Sequence, residues 1–128
     1  MTRDMDLIRE LLLLLEAYPL ELGDTAMIGL DAFEAALPSY SAAQIDYNLS
    51  QIRDAGFIYD VDGPSLGIGF RGLTWAGHDF LDSIRDPAIW GRAKEGAGAA
   101  GGFTVDLLKD LAKGLVKKQI EDYTGVKL

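Results

Sequence analysis

The stretch 41–81 constrains the fold of this chain more than any other part of its sequence. Ser41 is a residue type that accepts a hydrogen bond from the first turn of a helix, and Gly56 is a residue type that ends a helix with a positive φ. A helix is therefore predicted between these two positions. Its buried face is expected to carry Ile45, Leu49 and Ile52.

A β-hairpin is predicted directly after this helix. The short apolar runs 57–61 and 66–70 are separated by Asp62-Gly63-Pro64-Ser65, whose residue types are typical of a turn. Thr74 follows the hairpin and is placed to cap another helix. This order predicts an α+β fold, a mainly helical winged helix-turn-helix with a short β-hairpin wing and an amphipathic C-terminal helix.

The N-terminal part of the chain is predicted to begin with a buried helix over residues 4–18. Its leucines recur at helical spacing, and Pro19 ends it because proline disfavours the α conformation in the residue before it. Beyond it, residues 26–30 are expected to form a short strand that pairs with the hairpin. Asp31 is expected to cap a short helix over residues 33–37.

The C-terminal part is predicted to contain a linker between two helices. Asp86-Pro87 is a helix start signal, which predicts a short helix over 88–93. The following glycine-rich segment 96–102 is interpreted as flexible, because glycine loses much backbone entropy when it is ordered. Thr104 is expected to cap a last helix that reaches Tyr123. The predicted organisation is a domain over 1–94, a linker over 95–103 and the helix within 104–128.

Charge is distributed unevenly along the chain, whose net charge is −8. Residues 104–128 contain five lysines and four acids, for a net of +1, so residues 1–103 carry −9. An acidic body repels DNA and anionic membranes at long range and attracts a basic partner. The chain has no cysteine, and its longest apolar run is far shorter than the roughly 20 residues of a membrane span. A cytoplasmic protein without membrane association is expected.

Three segments of the sequence resemble a known family. They are Arg3-Asp4-Met5-Asp6-Leu7-Ile8-Arg9, Ala55-Gly56-Phe57-Ile58, and the run from Leu73-Thr74-Trp75-Ala76-Gly77 to Asp86. Together they are similar to the domain of unknown function family 2513, and the resemblance is expected to include the lysine-rich last helix.

The resemblance implies a small winged-helix protein of the kind found in bacteria and their prophages, with no assigned activity. The family pattern often has a histidine after the tyrosine of the middle helix, whereas here Tyr47 is followed by Asn48. No role for that histidine is carried over.

The candidate chemical motifs do not add up to a catalytic site. The strings Gly67–Gly72 and Gly96–Gly101 both match G-x-G-x-x-G, but neither is followed by the second parallel strand of a dinucleotide site, so hairpin and linker glycines are expected. His78 is the only histidine, and it is expected to be packed or half-exposed beside a carboxylate or carbonyl. The fragment 60–63 lacks the remaining ligands of a calcium loop. No enzyme activity, cofactor, metal or small-molecule ligand is expected.

Two surfaces are predicted to bind a partner. The first is the exposed face of the middle helix with the wing, where Arg53 and Arg71 are outnumbered by four aspartates. Its interaction residues are Gln44, Tyr47, Asn48, Gln51, Asp54, Asp60 and Asp62. The second is the apolar face of the C-terminal helix, formed by Leu108, Leu111, Leu115 and Ile120.

The expected function is a non-enzymatic interaction or regulatory protein, associated with phage or defence, that binds a protein partner. The C-terminal helix either packs on its own domain, forms a homodimer or docks on another protein. The alternative is a DNA-binding transcriptional regulator, a function that the predicted winged-helix fold favours. The negative charge of the surface that would face phosphates opposes that alternative.

Overall fold

The computed structural model describes residues 1–100 and 103–128, and in this part the protein has an α+β fold. The chain divides into two compact units, Met1–His78 and Asp79–Leu128. The elements in chain order are α1 (Met5–Ala17), β1 (Ala26–Gly29), α2 (Leu30–Ala36), α3 (Ala42–Asp54), β2 (Ile58–Val61), β3 (Gly67–Leu73), α4 (Trp75–Ile84), α5 (Pro87–Ala100) and α6 (Val105–Thr124).

Helix α1 is the buried first helix that the leucine spacing predicts. Asp4 caps it by accepting a hydrogen bond from the Leu7 N–H at 3.1 Å, and the helix ends at Ala17, shortly before Pro19. Burial of each large apolar side chain contributes about 1.5–3 kcal/mol to folding. The buried apolar side chains of α1 are Met5, Leu7, Ile8, Leu11, Leu12 and Leu15.

Strand β1 is confirmed, but the prediction that Asp31 caps the next helix is wrong. Helix α2 begins at Leu30, directly after the strand, and its N-cap is Gly29 in an extended conformation. Asp31 therefore lies inside the first turn. There a carboxylate interacts favourably with the positive end of the helix dipole instead of serving as the N-cap.

Helix α3 has the predicted boundaries and buried face. Ser41 Oγ accepts from the Gln44 N–H at 3.2 Å, and Gln44 Oε1 accepts from the Ser41 N–H at 2.9 Å, which forms a capping box. Gly56 ends the helix with φ +73°. Ile45, Leu49 and Ile52 are all buried.

The sheet has the order β1-β3-β2 and both pairs are antiparallel. Ala26 lies opposite Phe70 on one side of β3, and Ile58 lies opposite Leu73 on the other side. The register shifts between Ile58 and Asp60. The hairpin prediction is confirmed. The buried apolar side chains of the sheet are Ala26, Ile28, Ile58, Ile68, Phe70 and Leu73.

The glycines of the string 67–72 serve backbone packing in the hairpin. A Cβ on Gly69 would lie 2.9 Å from the Val61 carbonyl oxygen and 2.9 Å from the Gly63 Cα. Gly67 and Gly72 have φ of +124° and +131°, which other residues rarely adopt. The interpretation of this string as hairpin glycines is confirmed.

A junction between the end of α3 and the start of α4 brings together two of the segments on which the family resemblance depends. Thr74 Oγ1 accepts from the Gly77 N–H at 3.1 Å and donates to the Gly56 carbonyl at 2.5 Å. The Thr74 N–H also donates to the Phe57 carbonyl at 3.0 Å. Thr74 therefore caps α4, as predicted, and fixes it to the residues that follow α3.

In the unit Asp79–Leu128, α5 packs against α6. Helix α5 is longer than the predicted 88–93, and residues 95–100 belong to it, so the prediction of a flexible linker is wrong for them. Ala97 is buried, and a Cβ at Gly96 would lie 3.4 Å from a Leu111 methyl group. The packing of small residues against α6 offsets the entropic cost of the glycines. Gly101 and Gly102 lie outside the described residues.

Helix α6 confirms the prediction of a last helix that begins after Thr104. Thr104 Oγ1 accepts from the Leu107 N–H at 3.1 Å, and Gly125 ends the helix with φ +74°. The compact unit that contains α6 begins at Asp79, so the observed division of the chain falls earlier than the predicted linker.

Candidate functional site

The α3 face presents fewer free polar groups than its sequence suggests. Gln44 and Asp54 are exposed, whereas Tyr47 and Gln51 are half-buried. The Gln44 side chain is engaged in the capping box with Ser41. Tyr47, Gln51 and Asp54 are the other predicted residues of this face on α3 that remain at least partly exposed.

Asn48 does not belong to the exposed face, and its placement there is wrong. The residue is 1% exposed. Its Nδ2 donates to the Gln44 carbonyl at 2.8 Å, and its Oδ1 accepts from the Asp4 N–H at 2.9 Å. Asn48 therefore connects α3 to the start of α1 and is not available to read a base edge.

The β2–β3 hairpin is acidic, and the two arginines closest to its carboxylates have partners within the protein. Asp60 and Asp62 are exposed, and Asp60 Oδ1 lies 3.3 Å from Arg53 Nε. Arg71 on β3 places its guanidinium carbon 5.8 Å from the centre of the Tyr59 ring on β2. Both arginines of α3 and the β2–β3 hairpin thus have intramolecular partners.

The net negative charge of the whole chain is located in the unit Met1–His78. This unit contains four arginines and no lysine against twelve carboxylates, a net of −8, while Asp79–Leu128 has eight cations and eight acids, a net of 0. Arg9, another of the four arginines, is buried, and its Nη1 lies 3.3 Å from Glu10 Oε1. The first unit therefore presents an acidic surface.

An open cleft of about 510 Å³ lies between the segment that precedes β1 and the hairpin. The segment Leu20–Asp24 forms one wall, and Tyr59 and Arg71 form the other. Leu22 is fully exposed and Tyr59 is 50% exposed. The sequence did not predict this cleft, because residues 20–24, which form one of its walls, belong to none of the predicted helices or strands. The one feature of the sequence that could have indicated an exposed turn here is the pair of apolar residues Leu20 and Leu22 beside Gly23.

His78 is half-exposed, as expected, and its Nδ1 lies 3.8 Å from Glu16 Oε2. The partner carboxylate is thus on α1. Among residues 1–100 and 103–128, the His, Asp and Glu side chains do not form a group of three that can hold a metal ion. The segment 60–63 lies in the β2–β3 hairpin, where Asp60 pairs with Arg53.

The predicted interaction face of α6 is only partly accessible. Leu108 is buried, Leu111 and Leu115 are half-buried, and Ile120 is 42% exposed. Because α5 packs against α6, the N-terminal part of this face is covered within the chain itself. The prediction that Leu108 is available to a partner is wrong. The exposed apolar side chains are concentrated towards the end of α6, at Ile120 and Tyr123.

Two lysines of α6 are bound to α4. Lys109 Nζ lies 2.7 Å from Asp79 Oδ2, and Lys113 Nζ lies 3.7 Å from the same atom. The hydrogen bond from Lys109 lowers the pKa of the Asp79 carboxyl and raises the pKa of the Lys109 ammonium. The polar face of α6 is therefore partly used in packing.

No helix in the described parts of the chain has both the length and the apolar character that crossing a bilayer requires.

Comparison with known proteins identifies relatives without an assigned activity. A family model described as "Hypothetical protein (DUF2513)" matches residues 2–103. The match ends before α6. The expectation that the resemblance includes the lysine-rich last helix is therefore wrong for this family model. An uncharacterized protein of Haemophilus influenzae (strain ATCC 51907 / DSM 11121 / KW20 / Rd) is 28% identical over 124 residues, which cover 94% of this chain and 99% of the relative. No solved structure matches the chain.

Proposed function

Since the chain belongs to the DUF2513 family, whose description assigns no activity, we propose a function from its own surface. The protein is a non-enzymatic interaction or regulatory protein whose acidic unit Met1–His78 binds a basic protein partner. We place it in the cytoplasm. We also propose that the protein meets this partner in a phage or defence setting.

One observation supports the choice of partner above all others. The net charge of −8 is confined to residues 1–78, and the arginines at positions 9, 53 and 71 all have partners within the unit. A surface of one sign accelerates association with a partner of the opposite sign and disfavours partners of the same sign. A basic protein surface is therefore the complementary partner.

The order of elements supports a winged helix as the scaffold of this surface. The unit Met1–His78 contains α1-β1-α2-α3-β2-β3, in which α3 occupies the position of a recognition helix and β2-β3 that of the wing. We propose that the winged helix serves here as a scaffold for protein binding.

The proposal is tested with two variants of equal charge. One neutralises three exposed acids of the first unit (E34Q, D54N and D62N), and the other neutralises three exposed acids of the second unit (E95Q, D110N and D122N). Affinity for the partner that co-purifies with the tagged chain is measured at low and at physiological salt. We expect the first variant to lose about tenfold in affinity at low salt, and the second variant less than about twofold.

Two outcomes contradict the proposal. One is a partner that binds the two variants equally well, because then the acidic unit does not attract it. The other is a partner whose own interacting surface is acidic.

A DNA-binding regulator is the second candidate, and the winged-helix order of elements is the observation that favours it. Phosphate contacts supply most of the affinity for DNA, and Arg53 and Arg71 are both engaged within the protein. A gel-shift assay at low and physiological salt distinguishes the two candidates. Tight binding with a steep salt dependence that R53A abolishes supports the DNA-binding candidate.

Self-association through the end of α6 is part of the same proposal. Ile120 and Tyr123 are exposed beyond the part of α6 that holds the buried Leu108 and Ala112. A second copy of the chain can bury these side chains, as the isologous interfaces of homodimers do. Sedimentation equilibrium tests this, with Y123S expected to shift a dimer to monomer. A wild-type chain that is monomeric at high concentration contradicts it.

A further inference from the structure

The turn Leu20–Asp24 is closed by its own hydrogen bonds. The Glu21 N–H donates to Asp24 Oδ2 at 3.0 Å, and the Asp24 N–H donates to the Glu21 carbonyl at 3.0 Å. Gly23 takes φ +85°, a conformation that suits glycine. The turn therefore holds a defined shape and presents the fully exposed Leu22 at its tip.

The opposite wall of the cleft is formed by the side chains of Tyr59 and Arg71, which contact each other. The Arg71 guanidinium lies over the Tyr59 ring at 5.8 Å, which restricts both residues. Tyr59 remains half-exposed and keeps part of its ring surface for a ligand. Tyrosine and arginine are among the residue types that dominate binding energy at protein interfaces.

Preorganisation distinguishes this surface from a scatter of exposed apolar residues. A single exposed leucine is ordinary on a protein surface. Here, however, Leu22, Tyr59 and Arg71 line one cleft, the turn orders the backbone that carries Leu22, and the ring contact joins Tyr59 to Arg71. A partner that binds there meets a turn whose backbone is already ordered, which reduces the entropic cost of binding.

The charges around the cleft indicate the chemistry of its occupant. Glu21 and Asp24 line the cleft together with Arg71, and the unit that contains them carries −8. The guanidinium of Arg71 lies over Tyr59, so an incoming cation is favoured on the side of the two carboxylates. Leu20 and Leu22 offer adjacent apolar contacts.

Building on the proposed function, we propose that the cleft formed by Leu20–Asp24, Tyr59 and Arg71 docks an extended segment of the basic partner. In that segment a lysine or arginine lies next to a bulky apolar side chain. The cation approaches Glu21, and the apolar side chain packs on Leu22 and on the free surface of the Tyr59 ring. The cleft is thus the specific anchor, and the remaining acidic surface provides long-range attraction.

The test selects ligands for the full-length chain from a random library of peptides of about 12 residues. We expect selected peptides to share a lysine or arginine beside a leucine, isoleucine, phenylalanine or tryptophan. Selected peptides are then synthesised with and without replacement of the basic residue by glutamate. Their binding is measured by fluorescence anisotropy.

Variants of the chain assign the binding to the cleft. L22A and Y59A are each expected to weaken binding of the selected peptide by at least about tenfold, and E21Q by about three- to tenfold. L66A removes a leucine that is exposed on the hairpin outside the cleft and serves as the matched control. It is expected to change the affinity by less than about twofold. Unchanged thermal midpoints show that the variants remain folded.

Several outcomes overturn the inference. They are peptides without the basic-apolar pattern, equal binding after replacement of the basic residue, and an equal loss in L66A and L22A. Failure of this inference is distinguishable from failure of the proposed function. If the co-purified partner responds to neutralisation of the acids of residues 1–78 but binds L22A as well as wild type, the acidic unit binds it elsewhere than at the cleft.

Discussion

Asn48 shows how a single polar residue organises the first unit. It is almost completely buried, yet both ends of its amide are satisfied, one by the Gln44 carbonyl and the other by the Asp4 N–H. Asp4 in turn caps α1 by accepting from the Leu7 N–H. One side chain thus fixes the position of α3 relative to the start of α1.

The substitution N48A is expected to destabilise the fold by about 1–3 kcal/mol, because it leaves the Asp4 N–H without its acceptor in a partly buried position. The matched control is Q51A, a half-buried position one turn later on α3, with an expected change within about 0.5 kcal/mol. Urea denaturation measures both. Equal effects of the two substitutions contradict the assigned role of Asn48.

The ion pair of Asp79 is expected to make the stability of the protein depend on pH. Its pKa is lowered below the ordinary value of 3.8 by the hydrogen bond from Lys109, so its contribution is present above the unfolded-state pKa. This contribution is lost as the pH falls through the folded-state pKa.

We therefore expect D79N to lower the urea midpoint at about pH 7, and the difference from wild type to shrink towards about pH 3. The control is D110N, an exposed carboxylate on α6. A D79N deficit that is the same at both pH values rules out the ion pair as its source.

At the scale of elements, a close backbone contact defines the junction between the segment after α3 and the first turn of α4. Gly77 lies in the first turn of α4, and a Cβ at this position would collide with the Phe57 carbonyl oxygen. Thr74 binds the same segment through the Gly56 and Phe57 carbonyls. The junction thus depends on a glycine on one side and a capping threonine on the other.

The pair G77A and G91A separates this contact from helix propensity. Replacing a helical glycine by alanine normally stabilises by roughly 0.5–1 kcal/mol, and that gain is expected for G91A, where a Cβ meets no atom within 4 Å. G77A is expected to destabilise by about 1–3 kcal/mol despite the same gain in propensity. Thermal unfolding measures both, and stabilisation by G77A contradicts the close contact.

Substitutions at position 98 test the helical conformation of residues 96–100 at the end of α5. G98A is expected to stabilise slightly, since a Cβ there would lie 3.5 Å from the Phe103 ring, an ordinary contact. G98P is expected to cost about 3 kcal/mol, because proline removes a helical hydrogen bond and clashes with the preceding turn. If both variants unfold at the wild-type temperature, the helical conformation of residues 96–100 is contradicted.

At the scale of the whole molecule, the separation of charge between the two compact units is the dominant feature. One unit carries −8 and the other is neutral. Self-repulsion among like charges destabilises a compact state, and salt reduces that repulsion.

Raising NaCl from about 20 mM to about 500 mM is expected to increase the thermal midpoint of the chain. The triple variant E34Q/D54N/D62N is expected to show a smaller increase than E95Q/D110N/D122N, because it removes charge from the repulsive unit. Differential scanning calorimetry measures the three salt responses. An equal increase in the two variants contradicts the assignment of repulsion to residues 1–78.

Local signals in the sequence determined most of the fold. Helical leucine spacing, the cap at Ser41, the positive φ at Gly56 and the turn at 62–65 each depend on a few neighbouring residues, and all four were predictable. The acidic balance is likewise a property of composition alone.

Tertiary structure decided the features that depend on residues distant in the chain. Asn48 appears polar and exposed on a helical wheel, but Asp4 supplies a partner 44 positions away, and this contact makes its burial favourable. Residues 96–100 are glycine-rich and were predicted to be flexible, but they form the end of α5, which packs against α6. The cleft at Leu22 requires a turn, β2 and β3 to meet. In each case the free energy comes from a contact that local sequence does not encode, and the physical reason is that packing and hydrogen bonding between distant segments outweigh local propensity.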